Sequence, residues 1–350
     1  MAIEPLFGTR AQQAFIITIA VQAIVVITMV ALTFGIVRAE VGSSFEELGY
    51  KTLPCYLALF ILAEIFELLM AFDALRSRNI IQLMGIVLFH AALIVFSALQ
   101  IHETRVAIFG CQAPCTTDPN DLWNKVQRFL IVSPCIIAAS WVFLIFWIKQ
   151  LYAEFGWVIF HVVGANPRFK SMYQFYQIFI CLLKFDFFCF VGVTMQLLIV
   201  VLSSNSAEFG VTVAAIPVVV ILLAGCARAV KHEVRWMMMI ALVLMVAAMT
   251  YLYKLVRFYE PSSEQQYYST RATLTVFTVV AFLLLLCSFA IGIKCLRDFD
   301  KGLHESKTHG QSYTPVKTQV IDVFRMRGMT ERQSSYFPGG APLQQQISIE

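Results

Sequence analysis

Eight long apolar runs constrain this chain more than any other feature of its sequence. A segment needs about 20 mostly apolar residues to cross roughly 30 Å of hydrocarbon. Inside lipid, backbone polar groups must be hydrogen-bonded within the protein, so runs of this length are predicted to be helices. The predicted fold class is therefore all-α, a polytopic transmembrane helix bundle of about eight spans. The predicted spans are 14–37, 55–75, 79–101, 126–148, 176–203, 210–229, 234–256 and 272–295.

Little of the chain is left for a soluble domain. Only 14% of its residues are charged, against about 25% in ordinary soluble domains. The bundle is predicted to occupy 14–296, after a short N-terminus at 1–13. A tail at 297–350 gains Gln, Ser, Gly and Pro, and most of it is predicted to be disordered. Nucleic acid is not a predicted partner, because the basic residues lie at helix ends rather than on one patch.

Charge placement predicts the orientation. Eight spans put both termini on one side of the membrane, and that side carries about twice as many Lys and Arg residues as the other. Under the positive-inside rule, both the N-terminus and the tail are predicted to be cytosolic.

The fourth apolar run is too long for one span. It continues from 126 to 163, which is about 57 Å of helix and nearly twice the hydrocarbon thickness. The helix is therefore expected either to protrude into the cytosol or to break near Lys149 into an interfacial helix. The segment 149–172 is predicted to be a cytosolic helical extension that, together with the tail, binds protein partners.

Cysteines indicate two possible modifications. Cys111 and Cys115 lie in a predicted lumenal loop and could pair with each other, or one of them with Cys55. Free thiols are the alternative. Cys295, just past the last span, is a candidate for palmitoylation. No metal site is predicted from these cysteines, and no cofactor is predicted.

Charged and ionisable residues inside the spans are the sharpest candidates for function. Each costs at least about 2.5 kcal/mol at mid-bilayer, so something must compensate it. Glu64 and Glu67 share one face of helix 2, because three residues separate them. Lys184 matches Glu67 in depth, which predicts an ion pair between them. The whole predicted cluster is Glu64, Glu67, His90, Lys184 and Asp186.

Three interpretations of this cluster stay open. It could be a structural network that determines helix packing, a proton- or ion-coupled transport path, or part of a cavity for a lipid headgroup or other ligand. Two carboxylates in a low dielectric can share a proton, which a relay uses. The sequence contains no HExxH, GxSxG, Walker A or GxGxxG motif in the required context, so an enzyme is not predicted.

Three stretches resemble an uncharacterised family of fungal Golgi apparatus membrane proteins. They are 66–83 (FELLMAFDALRSRNIIQL), 152–157 (YAEFGW) and 176–188 (YQIFICLLKFDFF). The resemblance implies a multi-pass protein of the Golgi or a related endomembrane and carries over no catalytic residue. The first hypothesis is a non-enzymatic protein with a trafficking or organising role. The alternative is a proton-coupled transporter or a lipid-handling protein that uses Glu64, Glu67, His90 and Lys184. The oligomeric state is not predicted.

Overall fold

The computed structural model describes residues 8–41, 52–109, 119–163, 167–201, 207–255 and 271–299. Cys111, Cys115, the tail beyond Phe299 and residues 1–7 lie outside the described residues. The disulfide, the disorder and the partner binding predicted for those segments therefore stay predictions.

Within its described part the chain forms eight long helices and no strand, which confirms the all-α prediction. The fifth helix ends in one π-helical turn, Leu197–Val201. The helices are α1 (Arg10–Val41), α2 (Thr52–Ser77), α3 (Ile80–Phe109), α4 (Pro119–Val163), α5 (Pro167–Gln196), α6 (Ala207–Lys231), α7 (Arg235–Leu255) and α8 (Arg271–Asp298).

Seven of these helices, all except α6, are long and apolar enough to cross a membrane. They coincide with seven of the eight predicted spans, and the chain is a multi-pass membrane protein. The eighth predicted span, 210–229, falls on α6, where several side chains are not described. That span stays a prediction.

The bundle consists of two groups of four helices. In the first group, α1 and α3 each pack against both α2 and α4. In the second group, α5 and α7 each pack against both α6 and α8. The groups meet where α2 and α3 contact α5. One apolar core runs through both groups, because every helix contributes buried side chains to it.

The connection between α2 and α3 is a tight hairpin, as the three residues between the predicted spans 55–75 and 79–101 require. Arg78 has a positive φ of 50°, and the chain then turns into α3. The side chain of Asn79 caps α3, because its Oδ1 accepts hydrogen bonds from the backbone N–H groups of Ile81 at 2.9 Å and Gln82 at 3.3 Å.

Helix α4 is a single helix of 45 residues, about 68 Å long at 1.5 Å per residue. It does not break near Lys149, so that alternative was wrong. The extension begins inside the bundle rather than as a free stalk, because Phe155 is fully buried. Glu154 accepts hydrogen bonds from Gln12 at 2.6 Å and from Thr9 at 3.2 Å. The start of α1 therefore holds this part of α4.

Candidate functional site

The first four helices enclose a network of five polar side chains. Each helix contributes at least one of them, and every one is more than nine-tenths buried. Polar groups at such positions are costly in lipid unless they bond to one another. The network consists of Gln22 on α1, Glu64 and Glu67 on α2, His90 on α3 and Ser140 on α4.

His90 lies at the centre of this network. Its Nδ1 is 2.6 Å from Oε1 of Glu67, and its Nε2 is 3.0 Å from both the backbone oxygen of Ile137 and Oγ of Ser140. A carbonyl oxygen only accepts, so we assign a hydrogen to Nε2. The contact with Glu67 then holds one further proton, either on the carboxyl group or on an imidazolium. The pair is thus a short contact that shares one proton between two fully buried groups.

Gln22 connects Glu64 to the rest of the network. Its amide nitrogen donates to both carboxylate oxygens of Glu64 at 3.2 Å. The hydroxyl of Ser140 lies 2.5 Å from Oε1 of Gln22 as a donor. Glu67 keeps one oxygen, Oε2, without a partner among the described residues. The network is therefore almost fully satisfied from within, as a structural network must be.

The predicted ion pair between Glu67 and Lys184 was wrong. Lys184 instead donates a hydrogen bond to the carboxylate of Asp73, six residues beyond Glu67 on α2. Matching depth in the membrane did not identify the partner of Glu67, because His90 from the adjacent helix α3 contacts its carboxylate instead. The Lys184 and Asp73 side chains are 29% and 46% exposed, so water or headgroups reach this pair.

Asp186 lies apart from the network as well. It joins α5 to α8, because the hydroxyl of the fully buried Ser288 donates to its Oδ2. The structure thus brings together Glu64, Glu67 and His90 and places Lys184 and Asp186 at two other contacts. The predicted five-residue cluster is in fact three separate sites.

A cavity of about 650 Å³ lies between α2, α3, α5 and α8. Its lining is apolar apart from the thiols of two cysteines. Phe89 and Phe188 form part of the wall, with ring centroids 4.9 Å apart in an edge-to-face arrangement. Gly85 lets α3 approach α5 here, because an added Cβ would lie 3.0 Å from both Cys181 and Phe185.

The remaining predicted residues have simpler surroundings. Cys55 is a buried thiol in the first turn of α2; its pairing with Cys111 or Cys115, which lie outside the described residues, stays a prediction. Cys295, the candidate palmitoylation site, is buried within α8; the modification itself stays a prediction. A search of the described residues for three or more His, Cys, Asp or Glu residues arranged to hold a metal ion finds no such group.

Sequence reasoning missed four residues that complete these sites: Gln22, Asp73, Ser140 and Ser288. Three of them are neutral, so they do not stand out as charged residues inside an apolar run. Their polarity alone was the available signal, because a buried amide or hydroxyl also needs a partner. Asp73 was overlooked because it lies near the end of its helix.

Comparison with known proteins finds one relevant relative. The chain is 32% identical over 281 residues to a UPF0658 Golgi apparatus membrane protein of Schizosaccharomyces pombe. The match covers 74% of this chain and 80% of that protein. It confirms the resemblance stated from the sequence. No family model matches the chain, and no solved structure does.

Proposed function

Because the chain belongs to the UPF0658 family of Golgi apparatus membrane proteins, we propose that it resides in the Golgi membrane and handles lipid there without catalysis. In this proposal, the cavity of about 650 Å³ between α2, α3, α5 and α8 binds the acyl chain of a bilayer lipid. Both termini face the cytosol in this proposal.

The dimensions of the cavity carry the proposal. Its volume of about 650 Å³ falls in the range of about 300–1,000 Å³ typical of small-molecule sites. Residues of α3 line it from Ile81 to Leu99, which is about 27 Å along the helix and close to the hydrocarbon thickness. An extended acyl chain fits that shape.

The rim of the cavity opens at the outer surface of the bundle. Leu88 and Val95 both line it, yet they are 72% and 61% exposed on α3. A lipid chain can enter sideways between α3 and α8 without passing a polar barrier. The apolar lining favours hydrocarbon over any charged solute.

The packing of the polar network does not support the transport alternative. Glu64, Glu67 and His90 are all fully buried, whereas a transport path needs access from one face of the membrane. The network instead supports a structural role in holding α1 to α4 together.

The test is photo-crosslinking of the full-length protein in lipid nanodiscs with a phosphatidylcholine that carries a mid-chain diazirine. Labelled peptides from α3, α5 and α8 are expected, and Ala92→Trp should remove them because Ala92 lines the cavity. Ala98→Trp is the matched control: Ala98 is exposed on the same helix and is not among the cavity-lining residues. Equal labelling of the two variants would refute the proposal.

A trafficking or organising role through 149–172 is the second candidate. The continuity of α4 through Val163 favours it, because a helix of that length reaches beyond the bilayer. Pull-down with the full-length chain should then recover a specific cytosolic protein that is lost when residues 157–172 are replaced by a Gly/Ser linker. Recovery that is unchanged by the replacement would count against this role.

A further inference from the structure

A second cavity lies between α5, α6, α7 and α8 and has a volume of about 130 Å³. Leucine, valine, alanine, methionine and phenylalanine side chains form most of its wall. Three lining residues carry polar side-chain atoms: Asp186, Cys226 and Tyr251. Asp186 is the one charged group among them, and no cationic side chain lines the cavity.

Asp186 has unused hydrogen-bonding capacity. The hydroxyl of Ser288 satisfies Oδ2, but Oδ1 has no partner in the described part of the chain. The residue is 7% exposed and lies near the middle of the span Lys170–Ile199. An acceptor left unsatisfied at this depth is costly, so a donor from a bound molecule would relieve it.

We propose that this cavity binds the hydroxyl group of a neutral lipid, which donates a hydrogen bond to Oδ1 of Asp186. The number of hydrogen-bond acceptors in the cavity favours a hydroxyl group over the other ligands. A hydroxyl has one donor to place, and the site offers one strong acceptor. An ammonium group has three donors, a calcium ion takes six to eight oxygen ligands, and a buried water needs two to four polar partners.

The shape of the cavity fits the same ligand. Leu222 and Leu244 line it and are also more than one-third exposed, on α6 and α7 respectively. The cavity thus opens between these helices towards the bilayer. Its volume is too small for a whole lipid, so the hydroxyl end enters and the apolar remainder stays in the membrane.

This inference is independent of the acyl-chain proposal, because a different cavity and different helices carry it. A sterol and a diacylglycerol both present a free hydroxyl on an apolar body. The test uses diazirine analogues of each, together with their O-methyl ethers, which have the same shape but no donor. The full-length protein is photolabelled in phosphatidylcholine vesicles, and labelled peptides are identified by mass spectrometry.

The hydroxyl probe should label the α6 and α7 peptides about tenfold more than its ether, the ratio expected for one hydrogen bond to a carboxylate. Asp186→Leu should abolish that ratio, whereas Asp73→Asn, which alters a carboxylate away from the cavity, should preserve it. Preference in one probe family alone would identify that family as the source of the ligand.

Equal labelling by hydroxyl and ether probes in the parent protein would overturn the proposal, as would a ratio that survives Asp186→Leu. That variant also leaves Ser288 without its acceptor and could fail to fold. Leu244→Trp provides the second test, because it fills the rim and leaves the contact between Asp186 and Ser288 intact. Undiminished labelling of Leu244→Trp would equally overturn the proposal.

Discussion

Replacing only one of the two residues Glu67 and His90 is predicted to destabilise the bundle more than replacing both of them. The two single variants are Glu67→Met and His90→Leu, and the third is their combination. Both side chains are fully buried and their polar atoms are 2.6 Å apart. Each single variant leaves the other polar group fully buried and without its partner.

The magnitude follows from what each variant leaves behind. In soluble proteins, removing one partner of a buried ion pair costs about 3–5 kcal/mol. In membranes the cost is smaller, because the unfolded helices also find partners, and single hydrogen bonds average about 0.6 kcal/mol. His90 makes this contact and a second one to Ile137, so we expect a loss of about 2–3 kcal/mol for His90→Leu. The double variant should recover to within about 1 kcal/mol of the parent, because apolar side chains of similar volume replace the pair.

Thermal unfolding in detergent, followed with a thiol-reactive dye, measures this directly. Cys55, Cys181, Cys189 and Cys226 are buried, so they react only as the bundle opens. A loss of 2–3 kcal/mol should lower the Tm by several degrees, at about 2–4 °C per kcal/mol for a large domain. The coupling energy between the two positions should be at least about 1.5 kcal/mol.

Additive single losses, with no recovery in the double variant, would refute this account of the network. Two controls use the observation that Lys184 pairs with Asp73 rather than with Glu67. Glu67→Met combined with Lys184→Met should be additive, because the two residues do not contact each other. Lys184→Met alone should cost about 0–1 kcal/mol, since its pair with Asp73 is partly exposed.

Three further predictions concern contacts between helices. Gly85→Ala should lower the Tm by several degrees, because the added Cβ would lie 3.0 Å from side chains of α5. Gly225→Ala should raise the Tm slightly, because a Cβ added there would meet no neighbouring group within 4 Å and alanine favours a helix more than glycine does. Equal effects of the two variants would contradict the close approach of α3 to α5. Tyr56→Phe should cost about 1 kcal/mol in chemical unfolding, because it removes the 2.7 Å hydrogen bond to Thr273 that joins α2 to α8; an unchanged midpoint would argue against that bond. Asn79→Ala should cost about 1 kcal/mol through loss of the α3 cap, and Asn79→Ser should restore most of it if capping is the cause.

Many features of the fold were predictable from sequence because they depend on local chemistry. A run of about 20 apolar residues must be helical in lipid wherever it lies in the bundle. The hairpin at Arg78 and Asn79 was predictable as well, since the three residues between the predicted spans leave room for only a tight turn. The long α4 was visible as an apolar pattern that exceeded the bilayer, although the sequence left open whether it would break.

The partners of the buried polar residues were decided only by the tertiary structure. The sequence identified Glu64, Glu67, His90, Lys184 and Asp186 as residues that need compensation, because their cost in lipid does not depend on their neighbours. It could match depths along the membrane normal, but not which helix faces which. Glu67 bonds to His90 rather than to Lys184 because α3, not α5, presents a polar side chain to that face of α2. Helix contacts of this kind depend on the packing of all eight helices at once, and they also create the two cavities, which no single segment encodes.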